Sequence, residues 1–279
     1  MKTKLLNSLY EKYKIKDLQF GEINDKLGDV YEQFCVEILK SKDILDSIKS
    51  NSNTASLSLE ESIMISILNK SDITDYSTIK TIEADTNIPS LKSGGNPKTD
   101  IHATVSFRNG ENKTITISCK QSTVTNVALA EFDIDTICEG VGINVQELKG
   151  LMLKHQVDAS AKNFTKAEKD RLKELLKPKA REFVRWVVTG SKDQNANSVQ
   201  IPKIVIKFKL SPPQDKNRIN ILNGDYDFMS FEVITTEEYI DLIMCNSNGS
   251  PRKAGFGTGL SWTYATGSKG KKIQFKGKV

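Results

Sequence analysis

The sequence predicts an α/β protein in which a mixed central sheet is flanked by helices. Three observations predict it. Runs with a helical 3.6-residue period alternate with runs of period two along the chain. Two strand-like runs, IHATVSF and KTITISCK, are split by Asn109-Gly110, a strong turn signal. No internal repeat or low-complexity linker divides the 279 residues, so residues 1–279 read as a single domain that carries a basic C-terminal segment, 251–279.

The elements follow in order. LLNSLYEKY has the pattern of a short amphipathic helix. A longer helix is expected from about Asn24 to Ile48, because Leu27, Val30, Tyr31, Phe34, Ile38 and Leu45 recur near the helical period, with Asn24 or Asp25 as its cap. The polar NSNTAS at 51–56 reads as a loop and LEESIMISIL as another helix. The two hairpin strands follow KSGGNP. VQELKGLMLKHQVD, KAEKDRLKELL and, after Pro178, AREFVRWVV then form a helical centre, with Phe183 and Trp186 as core. IPKIVIKFKL and MSFEVI read as strands, TEEYIDLIM as a short helix, and LSWTYATG as extended chain in which Trp262 and Tyr264 pack as core.

Composition excludes several classes. Charged residues make up 27% and hydrophobic residues 38%, an ordinary globular balance with a net charge of +5. Cys35, Cys119, Cys138 and Cys245 lie far apart, which suggests neither a zinc site nor a disulfide framework. With His102 and His155 the only histidines, a His-rich metal centre is excluded. GFGTG at 255–259 lacks the strand-to-helix setting of a nucleotide loop. Without a signal-peptide core or a long apolar span, a soluble cytoplasmic protein is expected.

Charge is unevenly spread. Residues 221–250 hold six acids and no Lys or Arg, whereas no acid occurs from Pro251 onward. That last stretch carries Arg252, Lys253, Lys269, Lys271, Lys272, Lys276 and Lys278 among Phe256, Trp262, Tyr264 and Phe275. A basic, glycine-rich segment with interleaved aromatics suits a nucleic-acid backbone; the bland alternative is a solvated tail.

The hairpin carries the chemistry. Alternation puts Asp100, His102, Thr104 and Ser106 on one face of the first strand, and Thr114, Thr116, Ser118 and Lys120 on one face of the second. Matching the apolar faces requires an odd-length loop, for example Asn109 to Glu111, with Gly110 at positive φ. That register would set Lys120 and Ser118 opposite Asp100 and His102. An acid opening one strand beside a lysine on the next resembles the core of the PD-(D/E)xK nucleases, in which a carboxylate holds a divalent metal and a lysine offsets charge at the attacked phosphate. The middle position is Ser118 rather than an acid, so Glu32 on the long helix and the carbonyl oxygen of Cys119 are the further ligands expected.

The resemblance extends along the chain. GGNPKTD, EFDIDTICEGVGI, ELKGLMLKHQ, AKNFT, RLKELL, EFVRWVVTG and RKAGFGTGLSWTYATGSKGKKIQFKG closely resemble the MspI family of type II restriction endonucleases, in the same order, with LLNSLYEKYKI and LGDVYEQF similar to its opening helices. The matches lapse near 50–85, 190–200 and 211–250. This resemblance implies a restriction-endonuclease-like fold and a magnesium-dependent enzyme that cuts double-stranded DNA at CCGG, largely as a monomer, with a cognate DNA methyltransferase as genetic companion. It places Asp100 on the metal-binding aspartate, Lys120 on the catalytic lysine, Ser118 where an asparagine stands, Gln121 where a histidine stands, and Glu32 on the helix glutamate. Thr263, Thr266, Gln274 and Lys276 fall on DNA-contacting positions, and Ala128 replaces a base-reading serine. Lys98, Thr125, Asn126, Arg252, Lys253, Lys269, Lys271 and Lys272 complete the expected DNA-binding set. Two other readings remain open: a structure-specific repair or recombination nuclease, and a sequence-specific DNA-binding protein weak in catalysis through Ser118.

Overall fold

In the computed structural model, the described residues are 3–15, 18, 20–50, 57–91, 96–158, 160–193, 197–211, 228–265, 267–268 and 270–278. The predicted loop at 51–56, together with Thr266 and Lys269, lies outside them. The first half contains α1 (Lys4–Lys12), α2 (Phe20–Lys40), α3 (Lys42–Ser50), α4 (Leu59–Lys70), β1 (Ile79–Asp85), β2 (Ile101–Phe107), β3 (Asn112–Ser122) and β4 (Asn126–Phe132). The second contains α5 (Ile134–Val141), α6 (Gln146–Asp158), α7 (Lys166–Leu176), α8 (Ala180–Thr189), β5 (Ile204–Leu210), β6 (Phe228–Thr235), α9 (Thr236–Met244), β7 (Ser261–Tyr264) and β8 (Ile273–Lys278). Contacts divide the chain into two compact units, one of residues 1–124, 198–235 and 279, the other of 125–197 and 236–278.

The first unit is built on a mixed sheet of order β1-β2-β3-β5-β6, in which only the β3–β5 pair is parallel. The fold class read from the sequence is the one observed. Helix α2 lies against β1, β2 and β3. It buries Leu27, Val30, Tyr31, Phe34 and Ile38 against Ile101, Ala103, Ile117 and Phe208, with the Tyr31 and Phe208 rings 4.6 Å apart.

Two expectations here are corrected. The long helix begins at Phe20, so Asn24 and Asp25 lie inside it and neither is its cap. It also stops at Lys40, because the Ser41 side chain accepts from the Ile44 amide and starts a separate helix, α3.

The hairpin register is also corrected. Ser106 pairs with Asn112 and Ile101 with Ile117. The Phe107 amide donates to Glu111 O at 2.9 Å, so the loop is Arg108–Gly110 rather than Asn109–Glu111, with Gly110 at φ +90. The odd loop keeps the parity but slides the register by two residues. Ser118, not Lys120, therefore comes opposite Asp100.

The second unit packs α5–α9 with an antiparallel sheet of order β4-β8-β7. Strand β8 alternates: Ile273, Phe275 and Gly277 are buried while Gln274, Lys276 and Lys278 are only partly so. Phe183 stacks on Trp262 with centroids 5.4 Å apart, and Trp186 packs on Phe132. Trp262 is thus core as read, whereas Tyr264 is exposed. Gly255–Gly257 of GFGTG form a short 3-10 turn, and the chain runs on into β7. Its Gly259, at φ +78, passes so close to the backbone that a Cβ would lie 1.9 Å from Ile243 O.

A capping box starts α7: Thr165 accepts from the Glu168 amide, and Glu168 accepts from the Thr165 amide at 2.8 Å. Thr165→Ala is expected to lower unfolding stability by about 1 kcal/mol, read as a drop in urea midpoint at unchanged slope.

Candidate active site and nucleic-acid interface

Asp100 stands just before β2, held by its amide donating to Ile117 O at 2.9 Å. Its Oδ2 collects three donors: the Cys119 amide at 2.7 Å, the Ser118 hydroxyl at 3.0 Å and Lys120 Nζ at 3.4 Å. Oδ1 accepts no hydrogen bond among the described residues. Lys120 Nζ also donates to the Cys119 carbonyl at 3.1 Å. Ser118 is buried and commits its hydroxyl to Asp100, so it orients the carboxylate instead of standing free beside it. Gln121 follows Lys120 on β3, opposite Phe208 of β5 and half-buried.

Electrostatics tie α2 to this end of the hairpin. Burial pushes the Glu32 carboxyl up to about 7, and the neighbouring Asp100 charge adds to the rise while Lys120 opposes it. No hydrogen bond or ion pair holds Glu32 among the described residues. Lys98 is pushed down to about 8, first by burial and then by Lys120, against the pull of Asp100. The Cys119 thiol is pushed up by its hydrogen bond with Cys35 and by burial, which leaves the carbonyl oxygen as this residue's donor.

Two carboxyl groups, Glu32 and Asp100, thus lie within electrostatic reach of each other at the Lys120 end of the hairpin. Hard oxygens of this kind suit a small divalent cation. Among the described residues no cluster of three His, Cys, Asp or Glu side chains exists, so a cation here would draw on Asp100, Glu32 and a backbone carbonyl.

The expected DNA-binding residues divide between the units. Lys98 lies with Asp100 in the first. In the second, cross-strand pairing brings Asn126 beside Lys278, Ala128 and Ser261 beside Lys276, and Thr263 and Glu131 beside Gln274, all on one face of the sheet. A groove of about 760 Å³ runs along this region, lined in part by Thr125, Asn126, Arg252, Lys253, Lys276 and Lys278. Arg252 donates through Nε to Cys245 O at 2.8 Å, which anchors the start of the basic segment. Lys253, Lys271 and Lys272 are exposed.

Glu131, Lys169 and Lys173 stand at this surface without having been among the residues expected there. The two lysines also line the groove from α7. Glu131 was missed because NVALAEF was not read as a strand. His155 is buried among Phe164, Phe256 and Trp262, and burial lowers its pKa. No described helix is long and apolar enough to cross a membrane.

Comparison with known proteins bears on both regions. Residues 7–277 match the family described as restriction endonuclease MspI. The chain is 35% identical over 280 residues to the type II restriction enzyme MspI of Moraxella sp, covering 99% of this chain and 100% of that protein. The crystal structure of restriction endonuclease MspI in complex with its cognate DNA aligns with a TM-score of 0.83, at 35% identity, over 99% of this chain and 100% of that one.

Proposed function

Because the chain belongs to the restriction endonuclease MspI family, we propose that it is a type II restriction endonuclease that hydrolyses phosphodiester bonds of double-stranded DNA with Mg2+, at CCGG or a related short palindrome. The observation that carries this reading is the convergence of Lys120, Ser118 and the Cys119 amide on one oxygen of Asp100, with the other oxygen and Glu32 left unspent.

Asp100, Glu32 and the Cys119 carbonyl would hold the cation, which when bound offsets charge on the phosphoryl oxygens and acidifies a water. The protein's own groups do the rest. The Ser118 hydroxyl and the Cys119 amide fix the rotamer of Asp100. Lys120 places an ammonium beside the attacked phosphorus, where it stabilises developing negative charge and orients the attacking water. Gln121 adds a polar side chain one residue further along the strand. Lys98 adds a second positive charge beside Asp100, easily modulated because its pKa lies near 8.

The second unit reads the duplex. Lys276 suits guanine O6 and N7, and Gln274 can meet a base edge with donor and acceptor together. Lys253, Lys271 and Lys272 position phosphates, as do Thr125 and Asn126, which flank the groove. Arg252 and Thr263 join that contact surface, and Thr266 and Lys269, which lie outside the described residues, are assigned DNA contacts on the family resemblance alone. Ala128 has no hydroxyl, so base reading at that position falls to backbone groups. The enzyme acts as a monomer on its site, in the cytoplasm, beside a methyltransferase that protects the host DNA.

Incubation of the protein with plasmid and Mg2+ tests this, followed by sequencing of the cut ends. Discrete fragments with CCGG-type ends are expected. Nicking that depends on branched DNA would replace the reading with a structure-specific nuclease, and a gel shift without cutting would replace it with a binding protein. Affinity should fall steeply with salt. Lys271→Ala combined with Lys272→Ala should flatten the plot of log K against log salt by about 2. An unchanged slope would remove these lysines from the interface.

A further inference from the structure

We propose that Glu131 is a positioning residue for sequence recognition: it fixes the side-chain amide of Gln274 in the single orientation used to read a base. The inference rests on the DNA-reading role proposed for the second unit.

The backbone is built to bring the two side chains together. Between Ala128 and Ala130 the β4–β8 pairing shifts by one residue. Ala128 pairs with Lys276, but Ala130 pairs with Phe275, so Leu129 is the extra residue of a bulge. Leu129 and Ala130 are consecutive yet both buried, as a bulge requires. Had the regular ladder continued, Ala130 would stand opposite Gln274, and Glu131 would lie beside Ile273 on the buried side. The bulge instead turns Glu131 onto the face that carries Gln274, Lys276 and Lys278. Bulges re-aim side chains in this way next to functional sites.

The contact is specific in its polarity. Gln274 Nε2 donates to Glu131 Oε1 at 2.7 Å. On the other side the Thr263 hydroxyl lies 3.2 Å from the Gln274 main-chain oxygen and 3.4 Å from Gln274 Oε1. A carboxylate only accepts, so Glu131 forces the NH2 end of the amide toward β4, and Thr263 receives the carbonyl end toward β7. A free glutamine flips between two states that present opposite patterns to a base. The row Glu131–Gln274–Thr263 removes that freedom, leaving one N–H and part of the carbonyl oxygen for the ligand.

The sign of the charge supports the assignment. A carboxylate on a face with Lys276 and Lys278 weakens attraction for phosphate. Its place there is accounted for by orientation of its neighbour, not by affinity.

The test uses the full-length protein and short duplexes carrying the site read from digested ends, together with every single-base variant of that site. Single-turnover cleavage gives a discrimination ratio, cognate over variant. Glu131→Gln keeps the shape but can donate as well as accept, so the lock is lost. The ratio should fall about tenfold at one base position. Gln274→Ala should lower the ratio at the same position, and the double variant should discriminate no worse than Gln274→Ala alone. In the free protein, Glu131→Gln should also shift the side-chain amide 15N–1H signals of Gln274. Glu131→Gln with an unchanged ratio overturns the proposal, as does a double variant whose loss is the product of the two single losses, which would make Glu131 an independent base contact. If wild-type protein cuts at no defined site, the DNA-reading role itself fails. Site-specific cleavage with normal discrimination by Glu131→Gln sinks only the part given to Glu131.

Discussion

Lys120→Ala is expected to lower the single-turnover rate of DNA cleavage by about a hundred- to a thousandfold or more, while affinity for the same duplex changes little. The expectation follows from what Lys120 touches. Its ammonium lies 3.4 Å from Asp100 Oδ2 and 3.1 Å from the Cys119 carbonyl, beside the carboxylate at which the proposed reaction would build negative charge. Removing it leaves Asp100 still held by the Ser118 hydroxyl and the Cys119 amide, so the carboxylate keeps its position. Removal also relieves Lys98. Burial is the first cause of the depressed Lys98 pKa and Lys120 the second, so the variant eases that depression and Lys98 preserves part of the local attraction for phosphate. The signature is therefore a large loss in rate with a small loss in affinity, measured by rapid-quench cleavage and by fluorescence anisotropy in Ca2+. Cutting at a comparable rate would remove Lys120 from the catalytic role.

Much of this site was legible in the sequence because a hairpin has few degrees of freedom. Apolar alternation in IHATVSF and KTITISCK fixes which faces match, and the turn at Asn109-Gly110 fixes where the chain reverses. What alternation cannot fix is a slide by two residues, which preserves every face. The choice between an Arg108–Gly110 loop and an Asn109–Glu111 loop is made by local turn geometry, here the Phe107–Glu111 pair. Hence the lysine and the acid were correctly placed on one end of one hairpin, with Ser118 assigned to the wrong partner.

The long helix shows a different limit. Its buried stripe was plain, but Ser41 ends it by capping the next helix, and a serine inside a periodic run gives no warning of that. Strand β4 was invisible because VALA has no alternation. Its bulge puts two apolar residues inward in succession, and the same bulge concealed Glu131. Signals that depend on a regular period disappear where a bulge breaks the period.

Glu32→Gln is expected to stabilise the metal-free protein at pH 8, by at most about 3 kcal/mol, and to leave stability nearly unchanged near pH 4.5. The sign follows from the direction of the shift. Burial and the Asp100 charge raise the Glu32 carboxyl from 4.5 to about 7 in the folded chain. Below pH 4.5 the group is protonated whether the chain is folded or not, so it imposes no penalty. Between 4.5 and 7 the unfolded chain loses this proton and the folded chain retains it, so folding becomes progressively less favourable. Above 7 the folded carboxylate is charged as well, and the penalty is constant. Glutamine keeps the shape and cannot ionise, so the difference between variant and wild type should open across that window and then level off. Asp100 is the like charge responsible for part of the effect, so Asp100→Asn should shrink the window, whereas a remote carboxylate variant should not. Divalent cation should act in the same sense: millimolar Mg2+ should raise the melting temperature of the wild type more at pH 8 than at pH 6, and that increment should be smaller in Glu32→Gln. Urea titrations of both proteins across the range give the result directly. A difference that stays flat from pH 4.5 to 8 would mean that Glu32 carries no stored repulsion, and with it would go the claim that this carboxyl group and Asp100 are held close enough to share a cation.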